Sequence, residues 1–119
     1  MSKDLKYEEV KRMTRDEVLE ALSSQTPERI RTALWSAAYF DKDWRWVQDQ
    51  CLCFLTFPDL WVRRNAATCL GILAVFHKKL DIERVIPKLE DAGRDEEVRP
   101  FVEDSLEDIR HHVKRGLVE

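Results

Sequence analysis

Apolar residues recur along this chain at the three- and four-residue spacing of helix faces, not at the alternation of strands. Val18, Leu19 and Leu22 form the stripe of a first helix, about 15–23. Thr14 opens it with a capping box, in which its hydroxyl accepts from the amide of Glu17 and Glu17 reaches back. Thr26-Pro27 starts a second helix, and Ile30, Ala33, Leu34, Ala37 and Ala38 carry it to about Phe40. Asp41-Lys42-Asp43 breaks the pattern and caps a third helix over about 44–56. Val47, Cys51, Phe54 and Leu55 lie on one face of it and Trp46, Gln50, Cys53 and Phe57 on another, which predicts burial on two sides. Pro58-Asp59 opens a fourth helix with the stripe Val62, Ala66, Leu70, Leu73 and Phe76. It closes at His77-Lys78-Lys79, three potentially cationic residues that complement the helix dipole. Asp81 caps a fifth helix, about 82–91, with Ile82, Val85, Ile86 and Leu89 inside, a kink or short first turn expected at Pro87, and a stop at Gly93. Asp95 caps the sixth, whose buried side reads Val98, Phe101, Val102, Leu106, Ile109 and Val113. Residues 1–13 are polar and weakly periodic: an N-terminal arm, or a short helix around Leu5 to Val10, ahead of one helical domain over 14–119.

Six helices with short connections predict antiparallel hairpins over 14–40, 43–77 and 81–115, and the hairpins repeat. The second helix of each opens with an apolar–Arg pair: Ile30-Arg31, Val62-Arg63 and Val98-Arg99. The register continues through Leu34/Ala66/Val102 and Ala38/Leu70/Leu106, and Asp59 and Asp95 precede the last two copies by three residues. A hairpin with two apolar faces needs neighbours on both sides, so the expectation is a short all-α solenoid of three stacked hairpins. Recurrence at repeat spacing gives the arginines a structural task, each reaching an acid or carbonyl in the neighbouring hairpin.

Composition agrees with wet helices. Charged residues make up 36% of the 119, while Gly is 3 and Pro is 4, too few for a sandwich, a barrel or a phosphate loop. The net charge of −3 argues against a nucleic-acid partner held through phosphates. That sum hides a split, with residues 1–80 at net +2 and residues 81–119 at net −5. Seven acids lie between Asp95 and Asp108 against the single base Arg99. Such a run is either a solvated helix face or a docking surface for a basic partner.

Candidate chemistry adds little. Cys51, Cys53 and Cys69 are an odd set in apolar surroundings, which fits small core hydrophobes in a reducing compartment. Cys51 and Cys53 point to opposite sides of a helix and cannot share a metal. Glu107/His111 and Asp108/His112 are spaced as ion pairs at a helix end. No catalytic order of Ser, His, Cys or Asp can be assembled, so no enzyme, cofactor or metal is expected. The charged N-terminus does not read as a signal peptide, and the longest apolar run, Cys69 to Phe76, is too short to span a membrane. A cytoplasmic protein is therefore expected, with no membrane contact. Four tryptophans, Trp35, Trp44, Trp46 and Trp61, are either inter-repeat packing or aromatic anchors in an interface, where Trp and Arg are enriched.

The segment Asp59-Leu60-Trp61-Val62-Arg63-Arg64-Asn65-Ala66-Ala67-Thr68-Cys69-Leu70-Gly71 resembles the HEAT-repeat pattern D-x-x-V-R-x-x-A-x-x-x-L-G, and Asp95 to Ile109 is a looser copy. Pro100 and Phe101 interrupt that copy, and the first copy lacks the Asp cap. Trp44 to Leu52, Leu80-Asp81 through Ile86-Pro87, and Glu103 to Ile109 are similar to a group of small bacterial HEAT-like domains. These include immunity proteins of contact-dependent growth inhibition and related polymorphic toxin systems.

The resemblance implies a protein that binds the C-terminal toxin domain of a secreted effector in the cytoplasm and neutralises it by occlusion. Were the toxin a nuclease, its substrate surface would be basic, and an acidic helix would steer association. The interface residues expected on this reading are Glu96, Glu103, Asp104 and Glu107 around the sixth helix, with Trp61 and Arg64 on the fourth. Trp61 stands out because HEAT-like sequences usually carry a polar or small residue before the Val-Arg pair. The second reading is a HEAT-like structural or adaptor module in a larger assembly. A HEAT-like DNA-binding domain is disfavoured by the acidic C-terminal third.

Overall fold

The computed structural model describes residues 10–113. Among them the chain is helical and without strands: α1 (Arg15–Leu22), α2 (Pro27–Phe40), α3 (Trp44–Phe54), α4 (Leu60–His77), α5 (Ile82–Ala92) and α6 (Arg99–His112). The starts follow from side chains that satisfy otherwise unpaired amides. Thr14 and Glu17 form both halves of the capping box. Asp43 accepts from the amide of Trp46, and Asp59 from that of Val62. Thr26 and Asp81 stand at N-caps without a side-chain cap bond. α4 ends on Lys78 in the left-handed region (φ 57), its amide bonded to the carbonyl of Ala74.

Consecutive helices pack in pairs, and the second members, α2, α4 and α6, lie side by side with α4 in the middle. α1 rests on α2, α3 on α4 and α2, and α5 on α6. The result is an all-α, repeat-like fold. Three pairs are too few to wind into a long superhelix, and the extents are 36 × 31 × 29 Å. The core is the apolar seam between the layers, with Ile30, Leu34, Val47, Leu70, Leu73, Leu80 and Leu89 fully enclosed.

Two of the three recurring arginines hold loops, whereas Arg31 forms no hydrogen bond or ion pair among the described residues. The Arg63 guanidinium donates to the carbonyls of Phe57 (2.9 Å) and Pro58 (2.7 Å). Arg99 does the same to Gly93 (2.8 Å) and Arg94 (3.5 Å), also six and five residues back. Arg63 additionally reaches Asp95 in the next pair at 3.2 Å. The expected contact between neighbouring pairs thus holds for Arg63, whereas Arg99 is directed to its own loop.

Three expectations are corrected. Asp95 does not cap α6. Its carboxylate accepts from Glu97 and its carbonyl from Val98 and Arg99, forming a turn. Pro100 lacks the amide that would bond back to Glu96, and the regular helix begins at Arg99. The second buried side of α3 is Gln48 and Leu52, while Cys53 is exposed and Trp46, Gln50 and Phe57 are half-buried. Gln48 is buried because its Oε1 accepts the amide of Asp81 at 2.7 Å, tying α3 to the start of α5. The buried line of α6 is Val102, Ser105 and Ile109, with Leu106 at its flank. Ser105 Oγ donates to the carbonyl of Ala67 at 2.5 Å, and Gly71 leaves room for this close α4–α6 approach. His77 stands in the last turn of α4 as expected, and burial lowers its pKa from 6.5 against the pull of Asp41.

Of the N-terminal segment, residues 1–9 lie outside the described residues. Residues 10–13 are not helical; Val10 is buried, and the amide of Met13 donates to Ser36 Oγ at 2.9 Å. No helix among the described residues is long and apolar enough to cross a membrane.

Candidate functional site

A groove of about 420 Å³ runs between α2, α4 and α6. Its lining comes from all three helix pairs. α2 supplies Trp35 and Tyr39, α4 supplies Thr68 and Ile72, and α6 supplies Phe101 and a line of acids, Asp104, Glu107 and Asp108. Two other hollows lie around the α1–α2 pair, where acids and bases alternate and no residue of α4 or α6 takes part.

The aromatic side of the groove is ordered by ring packing. Trp35, only 8% exposed, stacks on Tyr39 with ring centroids 6.0 Å apart. Tyr39 meets Phe76 edge-on at 5.0 Å, and Phe76 is 49% exposed. At the opposite end of α4, Trp61 is 52% exposed. Arg64 lies 4.6 Å over the Trp61 ring and 5.0 Å over Phe101, with its Nε donating to the carbonyl of Glu97 at 2.7 Å. The exposed side of α4 therefore carries aromatic surface at both ends.

The acidic side is less uniform than its sequence suggests. Glu107 is engaged within its own helix, by Arg110 at 2.6 Å and His111 at 3.5 Å. Asp104 and Asp108, one turn apart, form no ion pair with any described residue. Burial pushes the Asp108 carboxyl above the ordinary value of 3.8; His112 pulls it down, Asp104 and Glu107 push it up again, and the net is upward. Its Oδ2 lies close to Gly71, where a side chain on α4 would meet it at 3.1 Å.

Of the interface residues expected from sequence, the fold brings Asp104 and Glu107 to the groove, with Trp61 and Arg64 beside Phe101 at one end. It does not bring Glu103 or Glu96 there: Glu103 is exposed and outside the lining, and Glu96 is exposed in the turn before α6. Sequence reasoning missed Tyr39, Phe101 and Asp108 as site residues. Tyr39 and Phe101 read as ordinary helix positions, and Asp108 as a partner of His112. The spacing Asp104/Asp108 is the one signal that marked a shared face. Among the described residues no cluster of three His, Cys, Asp or Glu is placed to hold a metal.

No model of a protein family matches the chain, and no curated protein does. Among solved structures, it is similar to a chain in the crystal structure of a CDI complex from Cupriavidus taiwanensis LMG 19424. The TM-score is 0.80 and the identity 30%, over 92% of this chain and 98% of that one.

Proposed function

We infer the function from the family to which this chain belongs, that of the matched chain in the Cupriavidus CDI complex, and propose that it is an immunity protein. It binds the toxin domain of a contact-dependent growth inhibition system in the cytoplasm and neutralises it by covering its surface, with no catalysis of its own. The observation that carries this reading is the 30% identity spanning nearly the whole of both chains, with a protein solved as part of such a complex. The sequence resemblance of Trp44 to Leu52 and Glu103 to Ile109 to immunity proteins supports it separately.

The surface supports the same reading. A groove that spans three helix pairs and carries a line of acids, with exposed Trp61 outside its lining on the same helix α4, has the charge and an aromatic anchor of a protein interface. Negative potential along α6 selects a partner with a basic surface, and a nuclease toxin is the class that offers one.

Co-expression tests the proposal. The chain should rescue cells from the toxin domain encoded beside its gene and co-purify with that domain. Toxicity that persists, together with a failure to co-purify, refutes the immunity role.

A further inference from the structure

Resting on the reading that the partner is a toxin domain, we propose that Arg64, held against Trp61 and Phe101 near the start of α4, receives an Asp or Glu side chain of that partner. The carboxylate meets the outer edge of the guanidinium, formed by Nη1 and Nη2, and apolar atoms beside it cover the exposed part of Trp61.

Three observations lead there. The first is that the guanidinium is fixed before any partner arrives. It lies 4.6 Å over the Trp61 ring and 5.0 Å over Phe101, and its Nε donates to the carbonyl of Glu97 at 2.7 Å. One ring from its own helix, one ring from α6 and a backbone carbonyl thus set its position. Arg12 and Arg45 also lie over rings, yet no hydrogen bond among the described residues fixes either. A side chain ordered in advance loses little entropy when a ligand binds it.

The second is that its charge is unused. A guanidinium has five donors, and a carboxylate is held best through two parallel bonds along one of its edges. The bond to Glu97 takes Nε and leaves Nη1 and Nη2 without an acceptor among the described residues. No acid among them pairs with Arg64, although the adjacent Arg63 pairs with Asp95. Arg15, Arg84, Arg94 and Arg110 pair with acids as well.

The third is the setting. Trp61 is 52% exposed beside this cation, and Trp and Arg are the side chains that most often dominate an interface. Asp95, Glu96 and Glu97 are exposed in the turn before α6, so Arg64 is a fixed positive point in negative surroundings. A free anion is repelled by those surroundings. A carboxylate carried on a basic protein surface is not, because the bases around it meet the acids while it meets Arg64. One acid among the partner's bases, matched to one base among these acids, fixes the register of the two proteins.

The test measures binding of the full chain to the toxin domain encoded beside its gene, by calorimetry, together with protection of cells. R64Q should bind at least about tenfold more weakly, and R64K nearly as weakly, because an ammonium offers no paired donors along an edge. R29Q removes an exposed arginine of α2 that has no bond among the described residues, and it should bind like the unaltered chain. Each Asp and Glu of the toxin domain is then changed to Asn or Gln. One such change should weaken binding to the unaltered chain by about tenfold and binding to R64Q or R64K only slightly. Against the unaltered chain this scan alters the partner alone, so it reads the contact whatever R64Q does to the fold. Full binding by R64Q or R64K, a scan in which no acid matters, or penalties that add for every acid would overturn the proposal. A chain that protects cells and binds, with every penalty additive, keeps the immunity role and loses the carboxylate site. A chain that neither protects nor binds loses both.

Discussion

Two aspartates are shifted in opposite directions, and the signs separate an ion-paired carboxylate from one without an ion-pair partner among the described residues. Burial raises Asp41, but the Arg15 guanidinium and the amide of Asp43 outweigh it, and the net is below 3.8. A lowered folded pKa gives stability that is complete above the unfolded value and is lost as pH falls through the folded one. Asp41→Asn should therefore flatten the acid limb of stability below about pH 4, read as the urea midpoint against pH. Asp108 is raised, so its ionised form costs stability, and that cost appears as pH rises through the window above 3.8. Asp108→Asn should raise the melting temperature at pH 7 and leave it nearly unchanged at pH 3, measured by calorimetry. Gly71 is the third residue with a sharp expectation. A methyl there would meet Ser105 Oγ at 2.7 Å and the Ser105 Cα at 3.1 Å, and that hydroxyl is already bound to Ala67. Gly71→Ala should cost about 1–3 kcal/mol in urea unfolding, because a backbone contact cannot rotate away.

At the scale of elements, Arg63 and Arg99 are loop clamps, and their chemistry decides what replaces them. Arg63 donates to two carbonyls and to Asp95, a fork that a lysine ammonium does not reproduce. Arg63→Lys should lose most of what Arg63→Ala loses, about 1.5–3 kcal/mol for hydrogen bonds from a charged donor, read by urea unfolding. The sequence announces these clamps because they recur at one register, and it announces the helices because apolar spacing, Thr14, Asp43 and Asp59 all agree. The face of α6 was harder to read. Val98, Val102, Ile109 and Val113 are buried as the spacing predicts, but Phe101 and Leu106 are half-buried and Ser105 turns inward, since a small hydroxyl opposite Gly71 lets two backbones approach. A polar residue at a core position is passed over by any hydrophobic pattern. With Ser105 turned inward, Asp104 and Asp108 on either side of it line the groove and Glu103 does not. The groove itself joins residues from three helices, and no local pattern encodes which of them become neighbours.

Across the whole molecule the charge is ordered along the stack. The first two pairs, within residues 1–80, are net +2, and residues 81–119 are net −5, so the molecule is polarised with its acidic pole at the α5–α6 end. A basic partner in such a field turns toward that end before contact, which raises the association rate more than the final affinity. Residues outside the groove then matter for kinetics, and Glu103 is the clearest of them. It is exposed and unpaired among the described residues, whereas Glu107 shares its charge with Arg110 and His111. Glu103→Lys should therefore slow association with the toxin domain more than Glu107→Lys. The double reversal should slow it by roughly tenfold at low salt and flatten the salt dependence, with a smaller change in dissociation. Stopped-flow mixing at two or more ionic strengths separates the alternatives. A change confined to dissociation would place Glu103 inside the contact, and unchanged kinetics at low salt would remove α6 from the path of approach.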